Sequence, residues 1–254
     1  MDIANKTAII TGGASGLGAA CVYQLRLAGA KVAILDKQLS AAENIAKAVQ
    51  GKAFNCDVTQ AKEVEKTFTD IQQQLGDIRI VINCAGIAPG RRLVGREGPM
   101  PTEEFVNAIN INLIGTFNVM RCAANHIAAL PWSDKTISAG VIINTASVAA
   151  FEGQIGQIAY SASKGGVVSM TLPAARELAQ FGIRVMAIAP GIFATPMLLG
   201  MSQQVQDSLS TQVPFPKRLG QPQEFAQLVQ QIIENEMLNG SVIRLDGAIR
   251  LQPK

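Results

Sequence analysis

The chain is poor in the side chains that most often carry chemistry. Its 254 residues include one histidine, one tryptophan, two tyrosines and four cysteines. Cys21, Cys56, Cys84 and Cys122 stand far apart, with no C-x-x-C pair and no Cys/His spacing of the kind that holds a metal. No metal site is expected. Each cysteine falls in an apolar stretch and reads as a reduced, mostly buried thiol in a reducing compartment. The one histidine, His126, lies near the end of a helical pattern in polar company and reads as structural or exposed.

Charge is scarce as well. Charged residues make up 16% and the net charge is +3, too little to imply a nucleic-acid partner. No run of about 18 apolar residues occurs, so no membrane span is expected. The opening MDIANKTAIIT enters a strand pattern almost at once, without a basic region or an Arg/Ser-rich presequence. A soluble, cytoplasmic protein is the expectation. What is plentiful is apolar surface, 48% of residues, enough for a large core with some left to bury between subunits. The length suits one α/β domain over residues 1–254.

The first motif follows the first strand pattern. Lys6 to Thr11 leads into Gly12, Gly13, Ala14, Ser15, Gly16, Leu17 and Gly18, the pattern TGxxxGxG. Such glycines let a strand turn tightly into a helix and let backbone approach a pyrophosphate, with the helix's free N–H groups aimed at the phosphates. A Gly-rich loop alone says little, but this one lies between a strand and the helical pattern Leu17 to Ala28. The next strand, Lys31 to Leu35, ends at Asp36. An acid there would bind ribose hydroxyls and repel a 2′-phosphate, so NAD is favoured over NADP. Lys37 beside it pulls the other way.

A helix from Ser40 to Val49, with Ser40 as its cap, precedes a strand over Ala53 to Cys56 and then Asp57-Val58. Asp57 either bonds an adenine amino group or caps the helix that begins near Thr59. After the helix Gln60 to Leu75 and the strand Ile80 to Ile82 come Asn83, Cys84, Ala85 and Gly86, small residues that leave room for a ligand at a strand's C-terminal end. Asn83 itself is expected on neighbouring backbone. Pro89 to Pro101 reads as an irregular loop. Its Arg91, Arg92 and Arg96 are either a solvated basic surface or partners for an anionic substrate handle. Thr102 to Ala124 is one long helical pattern with Asn112 inside an apolar stretch. That amide either bridges a helix distortion through water or belongs to a proton path to Lys164.

The strand Val141 to Thr145 delivers Ser147, and a helical run follows with Tyr160 and Lys164 four residues apart. Positions i and i+4 share a helix face, so a cation near the phenol would lower its pKa and suit it to proton transfer with a carbinol oxygen. Ser147 can hold the substrate oxygen. A bare Tyr-x-x-x-Lys is common by chance; the Gly-rich turn in the same chain gives it weight. Arg184 to Ala189 is a further strand, ending at Pro190-Gly191, where Ile192, Phe193 and Thr195 would pass the nicotinamide. In residues 194–213, Met197, Leu198, Leu199 and Met201 either form a flexible lid or belong to a packed helix. The chain closes on a helix, Gln221 to Glu234, and a strand, Ser241 to Leu245.

These motifs together resemble the short-chain dehydrogenase/reductase family: Thr11-Gly12-x-x-x-Gly16-x-Gly18, Asn83-x-Ala85-Gly86, Asn112, Ser147, Tyr160-x-x-x-Lys164 and Pro190-Gly191, in family order. The segments VIINTASVAAFEGQIGQIAYSASKGG and LNGSVIRLDGAIRLQP are similar to its 3-hydroxyacyl-CoA dehydrogenase branch. The resemblance implies a Rossmann-type, doubly wound parallel sheet of seven strands in a three-layer αβα single domain, assembled as a homotetramer. It implies NAD-linked oxidation of an (S)-3-hydroxyacyl-CoA, with substrate-side loops at about 89–101 and 191–215. Carrier-protein reduction, steroid or other secondary-alcohol oxidation, and a scaffold role are the alternatives.

The implied catalytic residues are Tyr160 as acid/base, Lys164, Ser147 and Asn112. Cofactor contacts would come from Gly12, Ser15, Gly16, Leu17, Gly18, Asp36, Asp57, Val58, Asn83, Cys84, Ala85, Gly86, Tyr160, Lys164, Pro190, Gly191, Phe193 and Thr195. Substrate contacts would come from Ser147, Gln154, Gln157 and Tyr160.

Overall fold

The computed structural model describes residues 1–254 except Met201 and Lys254, and leaves aside the side chains of Met197 and Val205. In chain order the first half runs β1 (Thr7–Thr11), α1 (Gly16–Leu27), β2 (Lys31–Asp36), α2 (Leu39–Val49), β3 (Lys52–Asn55), α3 (Ala61–Leu75) and β4 (Ile78–Asn83). A short hairpin, β5 (Val94–Gly95) and β6 (Gly98–Pro99), then leads to α4 (Thr102–Ile109), a π-helical turn (Asn110–Ile114) and α5 (Gly115–Ala128). The second half runs β7 (Gly140–Thr145), α6 (Ile158–Leu178), β8 (Ile183–Pro190), α7 (Pro196–Leu199), α8 (Gln203–Thr211), α9 (Pro222–Glu234) and β9 (Val242–Leu245).

Seven strands form one sheet in the order β3-β2-β1-β4-β7-β8-β9, and every pairing in it is parallel. Its central strands are continuous apolar runs because both faces are covered. β1 shows the alternation: Ala8 and Ile10 join a core with Val22, Leu25, Phe225 and Ile232 from α1 and α9. Ile9 points the other way, into a core with Phe68, Ile71, Val119 and Ala123 from α3 and α5. Three layers result. The chain visits β2 and β3 on one side of β1 and then crosses to β4 on the other. This reversal opens a crevice at the C-terminal ends of β1 and β4, where a ligand fits in such sheets.

Arg184 on β8 is only 4% exposed. Its guanidinium donates to the carbonyls of Ile232, Ile233 and Leu238 at 2.7–2.9 Å and pairs with Glu236 at 3.3 Å. It thereby satisfies two of the last carbonyls of α9 and one just beyond its end.

Three local expectations are corrected, and a fourth, left open between two readings, is in part resolved. Residues 102–124 are not one regular helix, since the π turn divides them. Residues 89–101 are not wholly irregular: Val94 pairs with Pro99 and Gly95 with Gly98. Ser40 does not cap α2, which starts a residue earlier with Gln38 at the cap, where the Gln38 N–H donates to Asp36 Oδ1 at 3.0 Å. In residues 194–213 the described backbone forms α7 and α8, and the lid reading for Met197 and Met201 lies outside what is described. Among the described residues, no helix is long and apolar enough to cross a membrane.

Candidate active site

The glycine turn between β1 and α1 is a close-packed cradle. A Cβ at Gly12 would meet Ala85 N at 2.8 Å, and one at Gly18 would collide with the Gly12 carbonyl oxygen. Gly12 and Gly16 have φ of 63° and 53°, which a side chain disfavours. The chain can therefore bring backbone, with nothing projecting, up to a ligand. No side chain caps the N-terminus of α1 and its first turn carries no acid, which suits the anionic pyrophosphate of a dinucleotide. Thr195 and Pro196 close over this turn, their side chains 3.5–3.6 Å from the Cβ position of Gly16.

Asp36 ends β2 as the sequence implies. Its Oδ2 accepts from the Ala14 N–H at 3.1 Å and its Oδ1 from the Gln38 N–H, so the carboxylate is fixed against the turn. Lys37 does not stand open beside it: its Nζ pairs with Asp57 Oδ2 at 2.9 Å. Asp57 Oδ1 accepts from the Thr59 N–H and hydroxyl. Burial would raise the Asp57 carboxyl, but Lys37 and Thr59 more than offset it and the pKa is lowered. Asp57 holds the turn before α3 without being its cap, because that helix begins at Ala61. The Val58 carbonyl is taken by Asn118 Nδ2 at 2.9 Å.

At the end of β4, Asn83 is 3% exposed and its amide donates to Asn144 Oδ1 on β7 at 2.9 Å. The expected backbone partner is thus a neighbouring side chain instead, and the burial corrects a side-chain contact with cofactor. The Cys84 and Ala85 N–H groups both donate to Thr11 Oγ1 at 3.1 Å. Cys84 is the one cysteine that is not fully buried, and all four are free. A hydrogen bond with Cys21 lowers the Cys84 thiol; burial opposes it, while Thr145 and Lys164 add to the lowering.

Ser147, just beyond β7, accepts from the Ala149 N–H at 3.1 Å and opens a short 3-10 turn. Tyr160 and Lys164 share a face of α6, but the ammonium is not on the phenol oxygen. Lys164 Nζ donates to the Thr145 carbonyl at 2.7 Å and lies 5.9 Å from the Tyr160 ring centroid. Burial raises the Tyr160 phenol above its ordinary value, and the Ser147 hydroxyl opposes that rise. This corrects the expectation of a lysine-lowered phenol: the long side chain reaches the β7 carbonyl. Burial pulls Lys164 itself down to about 8, with Cys84 opposing.

Asn112 lies in the π turn, fully buried. Its Oδ1 accepts from the Ile87 N–H at 2.8 Å, and its Nδ2 donates to the Ile87 carbonyl at 2.8 Å and to Ser163 Oγ at 3.0 Å. The expected helix distortion is this turn, with protein groups in place of the expected water on the amide.

Gln157 Oε1 accepts from the Gln154 N–H, and Gln154 Nε2 donates to the Gln252 carbonyl, each at 3.0 Å. Arg91 is not simply solvated: it pairs with Glu104 at 2.9 Å and Glu97 at 3.7 Å, and its N–H donates to the Gly156 carbonyl. Arg92 lines a cavity of about 660 Å³ with Leu93, Phe151, Gln154 and Ser161. Past β8, Gly191 N–H donates to the Leu245 carbonyl at 2.9 Å. Phe193 is 8% exposed and packs edge-on against Phe225, leaving backbone as its means of reaching a ligand. His126 bonds Gln72 at 2.8 Å and leans on Phe68. Ser163, which sequence reasoning passed over, joins two of the expected residues; only its position next to Lys164 hinted at it.

A parallel seven-stranded sheet, a glycine turn at its switch point and a Ser-Tyr-Lys group at the same edge define a dinucleotide-dependent oxidoreductase. Residues 6–206 match the model of the short chain dehydrogenase family, and the chain belongs to that family, with NAD(H) as its cofactor. It is 53% identical to the 3-hydroxyacyl-CoA dehydrogenase type-2 of Bos taurus, over 99% of this chain and 98% of that protein. Identity to the human protein of that name is 51%, over 99% and 98%. The crystal structure of 3-hydroxyacyl-CoA dehydrogenase type-2 from Mycobacterium avium superposes with a TM-score of 0.94, covering 98% of each chain at 38% identity.

Proposed function

We propose that this chain oxidises (S)-3-hydroxyacyl-CoA to 3-ketoacyl-CoA, reversibly. NAD supplies the hydride acceptor at its nicotinamide ring when bound. Tyr160, in its phenolate form, takes the hydroxyl proton and becomes the phenol as the carbinol carbon gives up its hydride, so the C–H and O–H bonds break while the carbonyl forms. Ser147 holds the substrate oxygen beside Tyr160. Lys164 binds the nicotinamide ribose from its anchor on the Thr145 carbonyl. Asn112 steadies the π turn beside Lys164.

For the cofactor, Gly12, Ser15, Gly16, Leu17 and Gly18 would hold the pyrophosphate and Asp36 the adenosine ribose. Asp57 and Val58 would flank the adenine; Cys84, Ala85 and Gly86 would lie under the dinucleotide, and Pro190 to Thr195 along the nicotinamide. The ion pair of Lys37 with Asp57 supports NAD over NADP, because it draws the neighbouring ammonium toward Asp57.

The observation that carries the reading is the gathering of Ser147, Tyr160 and Lys164 at the C-terminal end of β7, in a chain alike over nearly its whole length with 3-hydroxyacyl-CoA dehydrogenases type-2. Acyl-CoA breakdown is the corresponding process, in a reducing compartment such as the cytoplasm, consistent with four free thiols. A homotetramer is part of the proposal: Val106, Ile114, Phe117, Ile158 and Leu172 are exposed apolar residues along α4 to α6 that a partner subunit would cover.

The test is a panel of (S)-3-hydroxybutyryl-CoA, the matching carrier-protein thioester and a hydroxysteroid, each with NAD and NADP. The highest kcat/KM belongs to the CoA thioester with NAD. Preference for the carrier-protein thioester with NADP would overturn the proposal.

A further inference from the structure

We infer that Ser163 is a positioning residue for hydride transfer: its hydroxyl locks the Asn112 amide to the turn of α6 that carries Tyr160 and Lys164. The inference rests on the oxidoreductase reading above for the reaction it serves. Ser163 has no solvent exposure. Its Oγ donates to the Tyr160 carbonyl at 2.7 Å and accepts from Asn112 Nδ2 at 3.0 Å. A hydroxyl has one proton, so giving it to the carbonyl leaves only lone pairs toward Asn112.

That direction fixes the amide. Oδ1 must face the Ile87 N–H, and the two Nδ2 protons go to Ile87 O and Ser163. The reverse orientation would set Nδ2 against a donor. Thr116 Oγ1 donates to the Asn112 carbonyl at 2.7 Å and holds the main chain of the same turn. Every polar atom of the Asn112 side chain is therefore spent inside the protein.

The arrangement matters because Asn112 and Lys164 converge. At the Cβ position of Gly86, Asn112 Oδ1 is 3.0 Å away and Lys164 Nζ 3.6 Å away. Gly86 leaves that space open, and the separation of the two groups is set by whatever ties the π turn to α6. The Ser163 hydroxyl supplies a hydrogen bond that does so, beside the packing of Leu113 on Gly166. A buried serine within a helix is less favourable than alanine unless its hydroxyl has work there. Without it, one Nδ2 proton is buried unpaired and the amide turns or the helix shifts; either moves Asn112 relative to Lys164, whose ammonium is held on the Thr145 carbonyl.

The experiment compares wild type with Ser163→Ala, the nearly isosteric Ser163→Cys, and Ser163→Thr, which keeps a hydroxyl able to bond back along the helix. Each is read for NADH affinity by fluorescence and for kcat against pH, with 3-hydroxybutyryl-CoA and with a simple secondary alcohol. Ser163→Ala and Ser163→Cys keep NADH affinity, lose kcat by roughly tenfold and shift the pH profile on both substrates; Ser163→Thr recovers most of the loss. In an Asn112→Ala background, Ser163→Ala adds nothing further.

An unchanged pH profile with kcat intact, or losses that simply multiply in the double variant, would overturn the inference. Wild type that turns over the alcohol but not the CoA thioester would count against the substrate reading alone, with the variants still judged on the alcohol. Turnover of neither would overturn both.

Discussion

Lys164 Nζ donates to the Thr145 carbonyl oxygen at 2.7 Å, so the ammonium beside Tyr160 is anchored to β7 rather than to the phenol. The cost of holding it there is burial, which lowers its pKa from 10.5 to about 8. Between those pH values the unfolded chain binds more protons than the folded one, so this lysine's contribution makes stability rise with pH across that window. Below pH 8 the full cost is felt, on the order of 3 kcal/mol. Urea denaturation from pH 7 to 10 should therefore show wild type gaining stability relative to Lys164→Met. A constant difference across that range would contradict the buried ammonium.

Cofactor choice turns on Asp36, whose carboxylate is held by the Ala14 and Gln38 N–H groups. Asp36→Ala should reduce the NAD-over-NADP ratio of kcat/KM by roughly tenfold, the scale of one charge-assisted hydrogen bond. Lys37→Ala should leave that ratio nearly unchanged, because Asp57 already occupies the ammonium. A large gain of NAD preference in Lys37→Ala would show that the lysine faces the ribose after all.

Arg184 is the structural counterpart. It serves the carbonyls of Ile232, Ile233 and Leu238 and pairs with Glu236, far along the sheet from the glycine turn. Arg184→Met should cost about 3 kcal/mol by stranding those buried groups, read as a fall in melting temperature of several degrees. NADH affinity of the folded fraction should not change.

How much of this was legible in the sequence follows from the range of the forces involved. The parallel sheet was legible because β-branched runs buried on both faces, such as TAIIT and GVIINT, alternate with helical patterns. Asp36 at a strand end and the glycine turn were legible because local backbone geometry demands those residues. The ion pair of Lys37 with Asp57 joins residues just past the ends of β2 and β3, the amide pair of Asn83 with Asn144 joins β4 to β7, and no local pattern announces them. The π turn was hidden for a related reason. Asn112 lies in an apolar helical run, and its bonds to Ile87 and Ser163, which come from other elements, act with the Thr116 hydroxyl to hold the turn open. The lysine's reach to Thr145 was missed because spacing on a helix gives a shared face, not the end point of a long side chain.

Kinetics of Tyr160→Phe test the central claim most directly. Removing one oxygen from a half-buried ring leaves NADH affinity and melting temperature near those of wild type. The account predicts that kcat for NAD-linked oxidation falls by roughly 10²–10⁴-fold, the worth of a placed general acid/base. A variant that binds NADH and turns over at the wild-type rate would contradict it.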